Sequence, residues 1–527
     1  MTHSRASGDD DTTHGGVLVL GSAAGRWTVA ASVIGSGAVF LESTIVTVAL
    51  PAIGREFAAG IGGLQWVLDG YLLTLGALML LGGSLGDVLD RRRVFAWGAI
   101  AFAFFSGLCA VVPAFSGFIV LRLLQGAAGA LLVPNSLAML EASFTGEERG
   151  MAIGKWAGWS AITTAAGPLL GGWVVDELSW RWLFALITPV SLAAAWIALR
   201  RVPTVERSAE NASRAPRRPR TDDESLRSRL SQRIDWLGAA LTTSGLGAIV
   251  WALIEGPERG LTDPATLAAG LGGLALLVAF VIVEKRSRHP LLPLGVFRSR
   301  QFTGANVVTL LVYAALGALF FLLILQLQNV LGYSALEAGA AILPVNVLML
   351  ALSSHAGRLS ARIGPRFPMA GGAAVAGIGM LLMARVQPGT RYVDTVLPAL
   401  VVFGLGLAAL VAPLTAAVLG AVDASKAGVA SAVNNAVARI AGLLAVAILP
   451  FVAGISTSER ASGGQFAAGF ARAMWIAAAL CFAGAVVALF TVKRGQPTVV
   501  APHPSPSHAC VGGRGQLSGL RGEVPNA

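Results

Sequence analysis

Apolar runs of about 20 residues, each long enough to cross a bilayer, follow one another along almost the whole 527-residue chain. Short polar turns separate them. The pattern predicts fourteen helices, with cores at 27–50, 64–82, 94–112, 115–140, 152–175, 181–199, 234–254, 265–283, 302–330, 337–354, 368–385, 395–420, 430–454 and 467–491. Such a run of apolar segments has no counterpart in the core of a soluble domain. The prediction is therefore an all-α membrane protein with the lipid bilayer as its solvent.

Two stretches break the pattern. Residues 200–233 are rich in Arg, Ser and Pro and read as a disordered basic linker, and 492–527 read as a disordered tail. The first 26 residues are polar and Gly-rich, so a short N-terminal tail is expected there, without a cleavable signal peptide.

Basic residues collect in alternate loops. One set of loops holds Arg91, Arg92 and Arg93, then ten arginines between Arg200 and Arg233, then Lys285, Arg286, Arg288, Arg298 and Arg300. Arg358, Arg362, Arg366, Lys493 and Arg494 complete it. The other set carries one or two basic residues per loop. Positive loops stay in the cytoplasm, so both termini are expected inside, as an even helix count requires.

Composition agrees. The chain is 55% hydrophobic and 13% charged, against about 25% charged in soluble proteins, and its mean hydropathy is +0.70. The net charge of +11 is accounted for by the loops, so nucleic acid is not an expected partner. Four lysines against 35 arginines, with much Ala and Gly, point to a GC-rich bacterial genome and hence to a bacterial plasma membrane. Cys109, Cys481 and Cys510 fit neither a disulfide framework nor a zinc site, and the six histidines show no metal spacing.

An internal repeat divides the chain. Gly83-Ser84-Leu85, followed by Asp87 and basic residues, recurs as Gly357-Arg358-Leu359 and Arg362, 274 positions on. Pro134 and Pro413 lie 279 apart. Two pseudo-symmetric six-helix bundles, 27–199 and 302–491, follow from that offset, with two inserted helices in 234–283. Duplicated halves around a midplane site are the architecture of alternating-access carriers.

Several motifs now resemble one family. Leu41-Glu42-Ser43-Thr44-Ile45-Val46-Thr47-Val48-Ala49-Leu50-Pro51 resembles the LDxTIVNVALP motif of the fourteen-helix drug:proton antiporter branch of the major facilitator superfamily, with Glu42 for Asp and Thr47 for Asn. Gln65 to Tyr71 resembles an acidic second-helix variant of that branch. Gly83 to Arg93 resembles the superfamily's GxLaDrxGrRr loop; Asp87 matches its acid, while Val88 stands for Arg and Asp90 for Gly. Arg122-Leu123-Leu124-Gln125-Gly126 resembles RxxQG, and Gly167-Pro168-Leu169-Leu170-Gly171-Gly172 resembles the antiporter motif GPxxGG. Trp180-Arg181-Trp182-Leu183-Phe184 resembles WRWxF, with Ile187 where Asn is usual. The resemblance spans roughly 27–491. It implies a monomeric, proton-driven exporter of small hydrophobic or cationic compounds, such as drugs and antibiotics. Two other functions fit the same machinery: export of one specific metabolite or self-made antibiotic, and a transporter-fold sensor. The chain shows no P-loop and no nucleophile–base set, so an enzyme is not expected, nor any cofactor beyond the proton gradient.

The candidate chemistry lies in charges within helices, which are costly and usually face a wet cavity. Glu42, Asp69 and Arg122 fall at roughly 12, 8 and 10 Å below the outer face, counting 1.5 Å per residue. They are expected to line one cavity as the proton-coupling group, with Glu42 as coupling acid and Asp69 as cation-selecting acid. Burial favours a neutral carboxyl and an adjacent arginine favours the anion, so moving between the two switches protonation. Two acids beside one arginine leave a net negative charge for a cation. Arg122 as a purely structural partner of one acid is the alternative. Tyr71, Trp156, Trp159, Tyr313 and Phe320 are candidate cavity aromatics, and Asn306, Asn346 and Arg439 candidate polar contacts. For Asp87 with Arg91 and Arg92 the resemblance implies an inter-bundle latch, while their charge alone reads as topology-setting. Gly167, Pro168, Gly171 and Gly172 are expected to let the fifth helix pack closely and rock.

Overall fold

The computed structural model describes residues 13–14, 17–203, 234–260, 262–287, 290–423, 427–455 and 463–493. Of the expected linker 200–233, Arg200 and Arg201 instead end a helix; residues 204–233 of it, the part of the expected tail from 494, most of the N-terminal tail and Cys510 lie outside the described residues.

A two-residue antiparallel pair, Thr13–His14 with Val17–Leu18, precedes the first helix; the rest is helical. The first bundle comprises α1 (Ala23–Phe57), α2 (Ile61–Val88), α3 (Arg91–Val111), α4 (Phe115–Ser143), α5 (Gly146–Glu177) and α6 (Arg181–Arg201). The insert is α7 (Trp236–Arg259) and α8 (Pro264–Arg286). The second bundle comprises α9 (Arg300–Leu325), α10 (Ala335–Ala341) with α11 (Leu343–Ile363), α12 (Arg366–Met383), α13 (Leu397–Leu419), α14 (Ala427–Val452) and α15 (Gly463–Thr491). Among the described residues, thirteen helical segments are long and apolar enough to cross a membrane, α10 and α11 counting as one. The remaining one, α5, has the length, but its Gly, Ser and Thr residues and terminal acids dilute its hydropathy.

Most helices run past their predicted cores, because capping and not hydropathy sets their ends. The Ser22 side chain accepts the Gly25 N–H and starts α1. The helix then continues through Pro51, to stop at Ala58 in the left-handed region (φ 49°). Asp90, which departs from the loop motif, accepts the Arg92 N–H and starts α3. The predicted tenth helix is one segment in two pieces, broken at Ile342 ahead of Pro344.

The helix pairings repeat. In the first bundle α2 packs on α4, α3 on α4 and α6, and α1 on α5 and α6. In the second, α11 packs on α13, α12 on α13 and α15, and α9 on α14 and α15. Matching helices in order turns one set into the other, which is the sequence repeat expressed in three dimensions. The contacts between bundles obey the same two-fold relation: α2 meets α14, and α5 meets α10. The insert breaks it, since α7 packs on both α2 and α14 while α8 packs chiefly on α7.

Hydrocarbon supplies no hydrophobic drive between helices, so close packing through small residues takes its place. A Cβ on Gly82 of α2 would run into the Ala130 carbonyl of α4, and one on Gly126 of α4 into the Tyr71 carbonyl of α2. Gly372 and Gly406 play the same part between α12 and α13. Overpacking a site walled by backbone costs about 1–3 kcal/mol. Gly82→Val is therefore expected to lower the thermal midpoint of the detergent-solubilised protein by several degrees. Gly150→Ala, where a Cβ meets nothing within 4 Å, should leave it unchanged.

Candidate functional site

Each bundle has two ends. The α1–α2, α3–α4 and α5–α6 turns form the Pro51 end, and the α2–α3 and α4–α5 turns form the Asp87 end. Between them, in the first bundle, lies a charged centre built around Arg122.

The Arg122 side chain is fully buried, with its Cβ in van der Waals range of Gly70 of α2. Its Nε donates to the Val67 carbonyl at 3.0 Å, and its Nη1 donates to Gln125 Oε1 at 2.6 Å and to the Glu42 carboxylate. Gln125 Nε2 donates onward to Ser106 Oγ at 2.7 Å. The guanidinium lies 4.5 Å from the Tyr71 ring centroid and 5.7 Å from that of Phe184. Tyr71 donates its hydroxyl to the Val39 carbonyl at 3.2 Å. Five helices, α1, α2, α3, α4 and α6, thus supply one cluster. It is electrically neutral, one acid against one base. Glu42 Oε2 and Arg122 Nη2 have no hydrogen-bond partner among the described residues.

Asp69 does not join them. Along α2, Gln65 donates to the Val446 and Ala447 carbonyls of α14. Trp66 Nε1 donates to Glu255 of α7 at 3.0 Å, and Leu73 packs by Gly247 of α7. Gly76 packs against Arg439 of α14. With 3.6 residues per turn, Asp69 shares this stripe, at the seam where α2, α7 and α14 meet. It is fully buried, and neither carboxylate oxygen finds a hydrogen-bond partner among the described residues. Residue counting gives depth but not direction around the helix axis, so the three charges share a layer without sharing a cavity.

Beside the cluster, between the bundles, lies a cavity of about 110 Å³. Ser43, Thr47, Tyr71 and Arg122 line it from the first bundle, and Phe320 and Gly442 from the second. Arg439 lies one turn of α14 from Gly442, with its guanidinium 5.6 Å from the Phe40 ring. Phe40 meets Trp156 edge-on, and Trp156 Nε1 donates to Ser36 Oγ at 2.7 Å. Tyr313 faces Arg439. The other candidates stand apart. Trp159 is 56% exposed and shares a face of α5 with exposed Leu170 and Trp173. Asn306 accepts from Asn434 at 3.2 Å and ties α9 to α14. Asn346 Nδ2 reaches the Ala165 carbonyl of α5 at 3.5 Å.

The fifth helix is gripped on two faces. A Cβ on Gly167 would strike Thr44 and one on Gly171 the Ile45 backbone, both on α1. A Cβ on Gly172 would strike the Ala335–Leu336 backbone of α10, and one on Gly339 of α10 the Pro168 carbonyl. One turn beyond, the Asp176 carboxylate accepts the Ala335 N–H at 3.0 Å and the Leu336 N–H at 2.8 Å. It caps the first turn of α10 from the other bundle, with an anion at the positive end of a helix. Gln328 Nε2 adds a bond to the Val48 carbonyl at 2.9 Å. Among the described residues, every hydrogen bond between the bundles lies between the midplane and the Pro51 end. At the Asp87 end, Arg91 pairs with Asp87 at 2.6 Å and donates to Ala138, both within its own bundle. Arg92 donates to the Val202 carbonyl. The bundles are tied together at the Pro51 end and, among the described residues, carry no such tie at the Asp87 end.

Sequence reasoning missed Gln125 and Asp176. Gln125 had a signal, lying three residues after Arg122 on one helix face. Asp176 had only its place after an apolar run, and nothing local named its partner 159 residues away.

The family model described as Major Facilitator Superfamily matches residues 32–446. The chain is 35% identical to puromycin resistance protein pur8 of Streptomyces alboniger, over 78% of each chain. It is 32% identical to the tetracenomycin C resistance and export protein of Streptomyces glaucescens, over 85% of this chain and 79% of the relative. A crystal structure of a D-xylose-proton symporter superposes with a TM-score of 0.62 at 13% identity, covering 89% of this chain and 98% of that one.

The Asp176 cap yields a measurement. Asp176→Ala removes the acceptor for two backbone donors at the closed end. A membrane-impermeant thiol reagent is expected to label Ala335→Cys, whose native side chain is buried, at least threefold faster in the Asp176→Ala background.

Proposed function

This chain belongs to the major facilitator superfamily and is a membrane transporter rather than an enzyme; from that premise we propose that it exports small hydrophobic, drug-like compounds in exchange for protons, with Glu42 as the coupling acid. The observation that carries the reading is the double role of Arg122. The same guanidinium pairs with buried Glu42 and lines the cavity between the bundles, so protonation and cavity occupancy act on one group. The relatives' named functions, resistance and export, supply the direction.

While Glu42 is ionised, the pair is neutral and stable in a dry site. Protonation leaves the Arg122 cation buried without a counter-charge, a state that breaking one member of a buried pair makes costly by about 3–5 kcal/mol. Admitting water or a compound at the cavity relieves that cost. Loss of the proton restores the pair. A proton entering from one side and leaving on the other thereby biases which end of the bundles is closed.

Orientation is part of the proposal. The arginine-rich loops lie at the Asp87 end, which the positive-inside rule places in the cytoplasm of a bacterial plasma membrane. The ties at the Pro51 end then seal the outside, and the structure is the state that loads from the cytoplasm. The seal is built from Asp176, Gln328, Gln65 and the Gly172–Gly339 contact, while Asp87 and Arg91 await a partner bundle.

In inverted vesicles with an imposed pH gradient, Glu42→Gln is expected to lower gradient-driven transport at least tenfold, and also to lower the thermal midpoint, since it leaves the buried Arg122 without its counter-charge. Full gradient-driven transport in that variant sinks the coupling role. A wild-type protein that moves neither compound nor protons sinks the export reading.

A further inference from the structure

Arg439 stands where the two bundles meet, and among the described residues no acid faces it. Residues 439, 442 and 446 share one face of α14, and Gly442 and Val446 line the cavity. The Arg439 stem lies over Gly76 of α2, where a Cβ would come within 3.3 Å of the Arg439 Cβ. The half-buried guanidinium lies over Phe40 of α1, which meets Trp156 of α5 at 6.4 Å between centroids. The ionisable groups facing it are the hydroxyls of Tyr71 and Tyr313. Among the described residues it makes no hydrogen bond or ion pair.

The surrounding helices have no acid free to answer it. Glu42 of α1 is committed to Arg122. Asp69 of α2 lies seven residues from Gly76, roughly 10 Å along the axis, toward the Pro51 end. The acids of α5 sit at its two ends, Glu147 and Glu148 against Asp176 and Glu177, and α9 and α14 have none. A cation kept within a membrane helix usually pairs or serves a ligand. Here the protein provides a shelf of aromatic rings and no anion.

We propose that Arg439 receives an anionic group of the transported compound, a carboxylate or an ionised phenol carried on a planar aromatic frame. A guanidinium takes a carboxylate through two parallel N–H donors. Phe40, Trp156, Tyr71 and Tyr313 supply ring faces and edges for the frame. The expectation of a net negative receptor required Asp69 beside Glu42 and Arg122; since only two of the three meet, the midplane charge is positive. The proposal rests on the reading that compounds pass between the bundles, and it names the class of compound.

The test uses full-length protein in proteoliposomes and two xanthene dyes of similar frame, anionic fluorescein and cationic rhodamine 6G. Transport of both is followed under one pH gradient, and fluorescein binding is measured by anisotropy in detergent. Arg439→Gln is expected to lower the fluorescein-to-rhodamine transport ratio at least tenfold, equivalent to about 1.4 kcal/mol, and to raise the fluorescein Kd by a similar factor. Arg439→Lys keeps the charge without the fork and should recover part of both, which a mere loss of fold would not allow. A ratio that falls less than tenfold overturns the proposal. So does a wild-type protein that moves rhodamine 6G but neither moves nor binds fluorescein, an outcome that leaves export itself standing. Failure to move either dye overturns the export reading and this inference with it.

Discussion

Leaving a guanidinium without a counter-charge in a dry membrane interior is costly, and much of the first bundle is arranged around that constraint at Arg122. Five helices contribute to the solution: a carboxylate from α1, a carbonyl and a ring from α2, a hydroxyl behind an amide from α3, the amide itself from α4 and a second ring from α6. The α2–α4 approach is close because Gly82 and Gly126 remove side chains from that contact. The cluster sets the register of the bundle, and the cavity takes its position from the cluster. Because the guanidinium is shared between an acid and a cavity wall, a change at one is felt at the other without any longer path.

Much of the fold was legible from hydropathy, loop charge and the repeat, since a bilayer forces each crossing to be a helix of known length. The tenth segment begins two residues before its apolar core because the capping box at Ser334 and Glu337 sets its start, and the fifth is diluted in hydropathy by its Gly, Ser and Thr residues and terminal acids. At the site, Glu42 and Arg122 were legible as charges at matching depth, with Gln125 one turn along. Asp69 had the same depth signature and a different neighbourhood. When most faces of a helix are apolar, periodicity gives no azimuth, and only tertiary packing shows that Asp69 belongs to the α7 seam. Asp176 was illegible for another reason: its partners are backbone N–H groups, which every residue but proline carries.

The helix pairings of the two bundles match one for one, and so do the two contacts between them, α2 with α14 and α5 with α10. The contacts differ in chemistry. At α5–α10, backbone lies on backbone, with Gly172 and Gly339 as reciprocal notches and a carboxylate on a helix start. Such a joint has few soft atoms. It is either made or broken. At α2–α14, an amide reaches carbonyls and an apolar cluster fills the rest.

The insert turns that difference into a mechanical one. By lying across α2 and α14 together, α7 splints one seam and leaves its two-fold mate bare. A pair of bodies clamped along one edge swings about that edge like a book about its spine. Hinging on that edge would open the Asp87 end as a wedge, narrow along α7 and widest toward α5 and α11, with its broad side toward the bilayer. A molecule dissolved in the inner leaflet would meet the wide margin of the book before it met the aqueous mouth.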